Sequence, residues 1–360
     1  VLLTAVSVVF ARPVLELLQT PPEILDAAHS YIIIIFWGIG AAMLFNLLSN
    51  VIRALGDSRT PLYFLVLACV LNIALDLALI LRFGMGPAGA AVATVVSQLV
   101  SGLLCTIYVF RKFPMLRLTR ADWNMSRRYL WAHIRLALPM GFQASIIAIG
   151  AILVQFALNR LGAQAVAAFS AAQKIDMVAT LPMMSFGIAM ATYVAQNYGA
   201  RNPLRIRQGV LQCSLMSVGF SIAVAVVNII WGPELIRLFV GTGEREVVRL
   251  AQIYLNINAS MYWVLALLFV FRYTLQGLGQ SVVPTFAGVM ELAMRAFAAI
   301  ILARYLGFAG ASMASPAAWI GSCVPLAIAY FFTRKRLAQS TKQPFPPCSG
   351  EERESIRQAA

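Results

Sequence analysis

Asn72 and Asp76 stand four residues apart in an apolar run, Leu62 to Leu81, and so share one face of a helix about two-thirds of the way across it. A carboxylate at that depth is expensive, and it normally faces a cavity and has a function. An amide beside it can donate or accept a hydrogen bond whichever protonation state the acid takes. The chemistry this suits is reversible binding of a proton or a small cation. Pairing with Arg82 is the bland alternative, but six positions put that residue about 240° round the helix, which argues against a local salt bridge. Asn46 and Asn50 share a face on the preceding run; they either complete a cation site or tie helices together.

A second charged pair, Glu291 and Arg295, has the same spacing in a later apolar run and reads as a structural ion pair or as a substrate or gating element. Gln143, with Met140 and Met184, could line a substrate path that repacks around varied ligands, yet Met and Gln also fill or tie ordinary bundles. Lys174 and Asp176 are two residues apart, on different faces near the start of a span, and read as snorkelling side chains. His29 and His133 lie near span ends and receive no coupling role. Pro139 and Pro182 interrupt helices as bends or tolerated kinks.

The elements that must hold these residues are membrane spans. With 60% hydrophobic and 12% charged residues, the chain is too apolar for water to be its main solvent. Runs near the ~20 residues that cross a bilayer occur at 28–52, 62–81, 88–110, 134–158, 166–195, 210–231, 250–271, 282–303 and 309–332, with a partial span at 1–10. None alternates with period 2, which excludes a membrane β-barrel; the fold class is all-α and polytopic. The net charge of +14 collects in alternate loops, around Arg53 and Arg59, Arg111 to Arg128, Arg201 to Arg207 and Arg334 to Arg336. The positive-inside rule makes that side, with the C-terminus, cytoplasmic. This pattern argues against nucleic-acid binding, and the absence of His-Glu-x-x-His, paired catalytic aspartates or Gly-x-Ser-x-Gly argues against an enzyme. The cysteines show no metal or disulfide spacing.

An internal repeat organises the spans. Tyr31 and Tyr254, Gly56 and Gly279, and Pro61 and Pro284 pair with a constant shift, as do Arg111-Lys112 and Arg334-Lys335, while Gly89-Ala-Ala-Val-Ala-Thr94 meets Gly310-Ala-Ser-Met-Ala-Ser315 with nearly the same one. Both copies start and end on one side, so the repeat is parallel, with a substrate path expected between two lobes. The expected domains are an N-lobe at 1–115 holding its last four spans, a cytoplasmic loop at 116–130, a six-span C-lobe at 131–336 and a disordered tail at 337–360. Parity between copies implies that about two spans precede Val1. Carried through the repeat, Asn72 and Asp76 land on Arg295 and Ala299, so the lobes are chemically unequal.

The segments Arg53-Ala-Leu-Gly-Asp-Ser-Arg-Thr-Pro61, Asn72-Ile-Ala-Leu-Asp76, Gly89-Ala-Ala-Val-Ala-Thr94, Leu138-Pro139, Ala195-Gln-Asn-Tyr-Gly-Ala200 and Pro316-Ala-Ala-Trp319 resemble the multidrug and toxic compound extrusion (MATE) family in order and spacing. The resemblance implies a 12-helix antiporter of the MOP superfamily in the bacterial plasma membrane, exchanging H+ or Na+ for amphiphilic, often cationic drugs. It implies that Asn72, Asp76 and a matching Thr94 belong to an N-lobe cation site, which Asn50 would extend, with Na+ at Asp76 as the one candidate metal. No other cofactor follows from it. The expected partners are small-molecule drugs or toxic organic cations and the lipid bilayer, the chain acting as a monomer. The stretch Phe142 to Val154 lacks the acids that NorM-type members carry, which points to the DinF-like branch; a flippase for lipid-linked sugars is the alternative within the superfamily.

Overall fold

A computed structural model describes residues 2–17, 22–116, 127–241 and 244–340. The chain divides into two compact units, the boundary falling between Asn124 and Met125. The first unit contains α1 (Leu2–Leu17), α2 (Pro22–Trp37), α3 (Ile39–Ala54), α4 (Arg59–Asp76), which runs on as a π-helical segment (Leu77–Arg82), and α5 (Gly86–Lys112). The second contains α6 (Arg127–Leu161), α7 (Ala163–Gly199), α8 (Pro203–Ile230), the short α9 (Gly232–Val240), α10 (Arg245–Ala259), α11 (Tyr262–Gly277), α12 (Val282–Phe297) with a π segment (Ala298–Leu302), α13 (Ala303–Ser312) and α14 (Ala314–Ser340). No strand occurs among the described residues. The expected loop at 116–130 is shorter at its end, because α6 already begins at Arg127, and the expected tail loses its first residues to α14. The rest of that tail lies outside the described residues.

Among the described residues, seven helices are long and apolar enough to cross a membrane, nine if each bent pair counts as one span. This is a multi-pass membrane protein. Two expected spans are not single rods. Residues 23–54 bend by 45° at Gly38, and residues 245–277 bend by 50° at Ser260–Met261. The first bend lies where the chain presses on α5: a Cβ on Gly38 would sit 2.2 Å from Cγ2 of Val95, so only glycine fits. Small residues also let α7 and α11 approach closely. A Cβ on Gly187 would lie 2.4 Å from the Tyr273 ring, and one on Gly277 would lie 2.6 Å from the Ala191 carbonyl oxygen.

Much apolar surface remains outside. Along α4 only Pro61 and Ala68 are buried, while Leu62, Leu65, Val66, Val70 and Ile73 are exposed. A surface of that kind suits hydrocarbon. The buried cores are local to each unit: Phe45, Ile52, Cys105 and Val109 in the first, and in the second two clusters centred on Tyr254 with Phe169 and on Tyr262 with Leu268.

The repeat is visible in the backbone. Each unit has one bent span, and in each the span after it switches to π geometry, at Leu77–Arg82 and at Ala298–Leu302. Gly56 and Gly279, and Gly84 and Gly307, adopt positive φ at matching places. At the loop following the first bent span, Asp57 caps α4: its Oδ1 accepts the backbone N–H groups of Arg59 and Thr60. Its Oδ2 accepts from the Tyr108 hydroxyl at 2.6 Å, from the Thr60 hydroxyl at 2.8 Å and from Lys112 Nζ at 3.3 Å. The Tyr108 hydroxyl first, then Thr60 and Lys112, hold the Asp57 carboxyl well below the usual carboxylate range.

A carboxyl depressed in the folded state stabilises above its unfolded pKa, and that contribution is lost as pH falls through the folded value. Asp57→Asn should therefore lower the thermal unfolding temperature at neutral pH, and the gap to the parent should shrink below about pH 4. Unfolding scans from pH 7 to pH 3 check this; a gap that stays constant with pH would mean that the ionised carboxylate contributes nothing.

Candidate functional site

Asp76 is the last residue of α4, at the switch into the π segment. π segments are rare and frequent at functional sites because they insert a wider turn into an α-helix. The Asp76 side chain is half-buried; its Oδ1 is shielded from solvent and has no hydrogen-bond partner. One turn earlier, Asn72 Nδ2 lies 3.5 Å from Thr94 Oγ1 on α5, the long end of a hydrogen bond. Thr94 donates its own proton to the Ala90 carbonyl at 2.9 Å, leaving an oxygen lone pair free. Asp76, Asn72 and Thr94 thus supply a carboxylate, an amide and a hydroxyl from adjoining turns of α4 and α5. Oxygen ligands of this kind suit a proton or a hard monovalent cation. Among the described residues no group of three or more His, Cys, Asp or Glu side chains is arranged for a metal ion.

The asparagines of α3 are otherwise engaged. Arg53 Nη2 donates to Asn50 Oδ1 at 2.8 Å, and Asn46 Nδ2 donates to the Ala42 carbonyl at 2.8 Å. Sharing a helix face placed both on one stripe, but the Arg53 guanidinium one turn on takes the Asn50 oxygen at the exposed end of α3.

In the second unit, Glu291 is 5% exposed and binds two guanidiniums. Arg295 Nη2 donates to Oε1 at 3.1 Å and Arg272 Nη2 to Oε2 at 2.6 Å; Arg272 also donates to Ser322 Oγ at 2.9 Å. The glycine at 150 leaves room for Arg295, whose Cδ would lie 2.8 Å from a Cβ there. Gln143 is buried and accepts from Gln276 Nε2 at 3.4 Å, so it ties α6 to α11. Met140 is exposed and Met184 half-buried, whereas the neighbouring Met183 is a core residue.

Asp176 departs from its expected snorkelling position. The spacing that separates it from Lys174 sends the lysine outward, over the Phe239 ring, and turns Asp176 into the helix packing, where it is 9% exposed. Its Oδ1 accepts from the Tyr262 hydroxyl at 2.6 Å, which itself accepts from Asn228 Nδ2 at 3.1 Å. Tyr254 places its hydroxyl beside the same carboxylate. The bend at Ser260–Met261 aims both tyrosines there, one from α10 and one from α11.

The family model described as MatE matches residues 1–78 and 139–301, more than half of the chain. The chain belongs to the MatE family. Its relatives include the probable multidrug resistance protein YpnP of Bacillus subtilis, 32% identical over 78% of this chain and 63% of YpnP. An FAD transporter of Shewanella oneidensis is 25% identical over 94% of this chain and 75% of its own length. The chain thus spans less than two thirds of YpnP. A solved MOP superfamily transporter from Pyrococcus furiosus has the same fold, with a TM-score of 0.86 at 21% identity over 95% of this chain and 76% of that one. The relatives and solved neighbours that it matches are named as multidrug resistance proteins and transporters.

Arg272, Tyr262 and Asn228 are polar residues of this MatE chain that spacing alone does not single out, and spacing gave Asp176 an outward position that the structure replaces with a buried one. Arg272 was hidden because the apolar run ends at Phe271, whereas α11 continues to Gly277. A single guanidinium followed by four more helical residues before a Gly-Leu-Gly stop was the available signal.

Removing the shared acid should be severe. Glu291→Gln leaves two buried guanidiniums with no counter-charge, and breaking a buried pair in this way costs about 3–5 kcal/mol. Tyr262→Phe removes one hydroxyl between Asp176 and Asn228 and costs about 1–3 kcal/mol. Folded yield and unfolding temperature in detergent should fall for both, and more for Glu291→Gln; equal stability of that variant and the parent would refute the ion-pair account.

Proposed function

We propose that this MatE chain works as a secondary antiporter that exports amphiphilic or cationic small molecules in exchange for H+ or Na+. The observation that carries the reading is Asp76: a shielded carboxylate oxygen without a partner, at an α-to-π switch inside an apolar span, with Asn72 and Thr94 alongside. Its multidrug relatives support the direction of transport and the class of cargo. Coupling requires that protonating Asp76, or binding Na+ there, changes which conformation the protein prefers, so the coupling free energy runs through that carboxylate. A flippase would need open guanidiniums for a pyrophosphate within the spans themselves, and there Arg272 and Arg295 instead close on Glu291.

Asp76→Asn keeps the shape and removes the charge. It should abolish gradient-driven efflux of a fluorescent cation in proteoliposomes while leaving the protein folded and able to bind the dye. Export that persists against a gradient would move the coupling site elsewhere, with Asp176 the next carboxylate to test.

The orientation is part of the same reading: the basic ends face the cytoplasm of a bacterial plasma membrane. A cysteine at exposed Arg205 should react with an impermeant maleimide only from inside, and one at Arg237 only from outside. Reaction of Arg205→Cys from outside inverts the topology.

A further inference from the structure

The repeat puts Gln280 where the first unit has Asp57, Phe331 where it has Tyr108, and Lys335 where it has Lys112. In the first unit the lysine is neutralised by the aspartate. In the second, Gln280 instead exchanges hydrogen bonds with Thr333, at 3.3 and 3.4 Å, and Lys335 has lost its acid. Arg334 beside it, and Arg207 at the start of α8, likewise make no ion pair or hydrogen bond among the described residues. Among the described residues, three cations therefore stand together without a counter-charge at the basic end of the spans.

They rim a cavity of about 480 Å³ between the ends of α8, α11 and α14, a volume in the range of small-ligand sites. Its floor is apolar: Ile206 and Tyr330 are buried core residues and Leu278 is half-buried, with Tyr330 stacked on Phe271. An apolar recess beneath a cationic rim, at the ends of the spans α8, α11 and α14, matches a ligand with a phosphate at one end and hydrocarbon at the other. Arginine forks and a lysine ammonium recognise phosphate oxygens directly, and basic pockets between spans bind anionic headgroups.

We propose that this cavity is a binding site for an anionic phospholipid, with Arg207, Arg334 and Lys335 on the phosphate and the proximal acyl carbons over Ile206, Leu278 and Tyr330. The lipid supplies the negative charge that Asp57 supplies in the first unit. The commitment is to a lipid rather than a free anion, because rim and floor are both needed to account for the site.

Binding of phosphatidylglycerol and phosphatidylcholine to the purified, delipidated chain, followed by native mass spectrometry, tests it. The parent should retain phosphatidylglycerol in preference. Arg207→Gln/Arg334→Gln/Lys335→Gln should weaken phosphatidylglycerol binding by about ten-fold or more and leave phosphatidylcholine unchanged. The same charge removed at the other end, Arg237→Gln/Arg245→Gln/Arg249→Gln, should change it less than about two-fold. Leu204→Trp, at the exposed mouth of the cavity, should weaken it through the acyl contacts while the charges stay. If the triple variant folds poorly, Lys335→Gln alone should give about a five-fold loss that Lys335→Arg restores. Equal losses in the two triple variants, displacement of the lipid by inorganic phosphate at equal concentration, or full binding by Leu204→Trp would each overturn the proposal.

Discussion

An ionised side chain in hydrocarbon is costly unless both its charge and its hydrogen bonds are answered inside the protein, and Glu291 answers for two at once. Its oxygens face Arg272 on α11 and Arg295 on its own helix, α12, and Ser322 on α14 closes the far side of Arg272. Three helices of the second unit are thereby fixed in rotation as well as in position. A purely apolar seam between them would tolerate sliding, since lipid tails and leucines are equivalent solvents for one another.

The same accounting explains the other polar features. Asp176 is held by Tyr262 and Tyr262 by Asn228, with the span bent between α10 and α11 just before Tyr262. Asp57 is satisfied by a cap, a tyrosine and a lysine. Asp76 differs from these acids, with a carboxylate oxygen that the fold shields and does not satisfy; Gln143, Asn258 and Arg272 also keep an unpaired polar atom, but none of them is an acid. An unmet carboxylate oxygen shielded from water is a place where an exchangeable ion changes the energy strongly.

Nine spans were legible in the sequence because runs of about twenty apolar residues between basic loops leave few alternatives. The bends were not legible, since each depends on what lies across from it, as Val95 lies across from Gly38. The Asn72–Asp76 face could be read from spacing, but the matching Thr94 came through family resemblance, and its distance from Asn72 needed coordinates. Asn50 shows the limit of the facial argument: helix periodicity says which residues share a stripe and nothing about which neighbour reaches them first. Asp176 was obscured for a related reason. Its helix is apolar all round, so periodicity does not mark an inner face.

The π segments carry a historical consequence. A π turn holds one more residue than the α turn it replaces, and such an extra residue enters a helix through an insertion in the gene. Both units carry the turn at the matching place, directly after α4 and directly after α12. Two copies of one bundle that both carry a wider turn at nearly the same place are most simply descended from a copy that already had it. The differences in charge, Asp76 against Ala299 and Asp57 against Gln280, distinguish the copies. The backbone irregularity is what the two halves share, and the ion chemistry is what separates them.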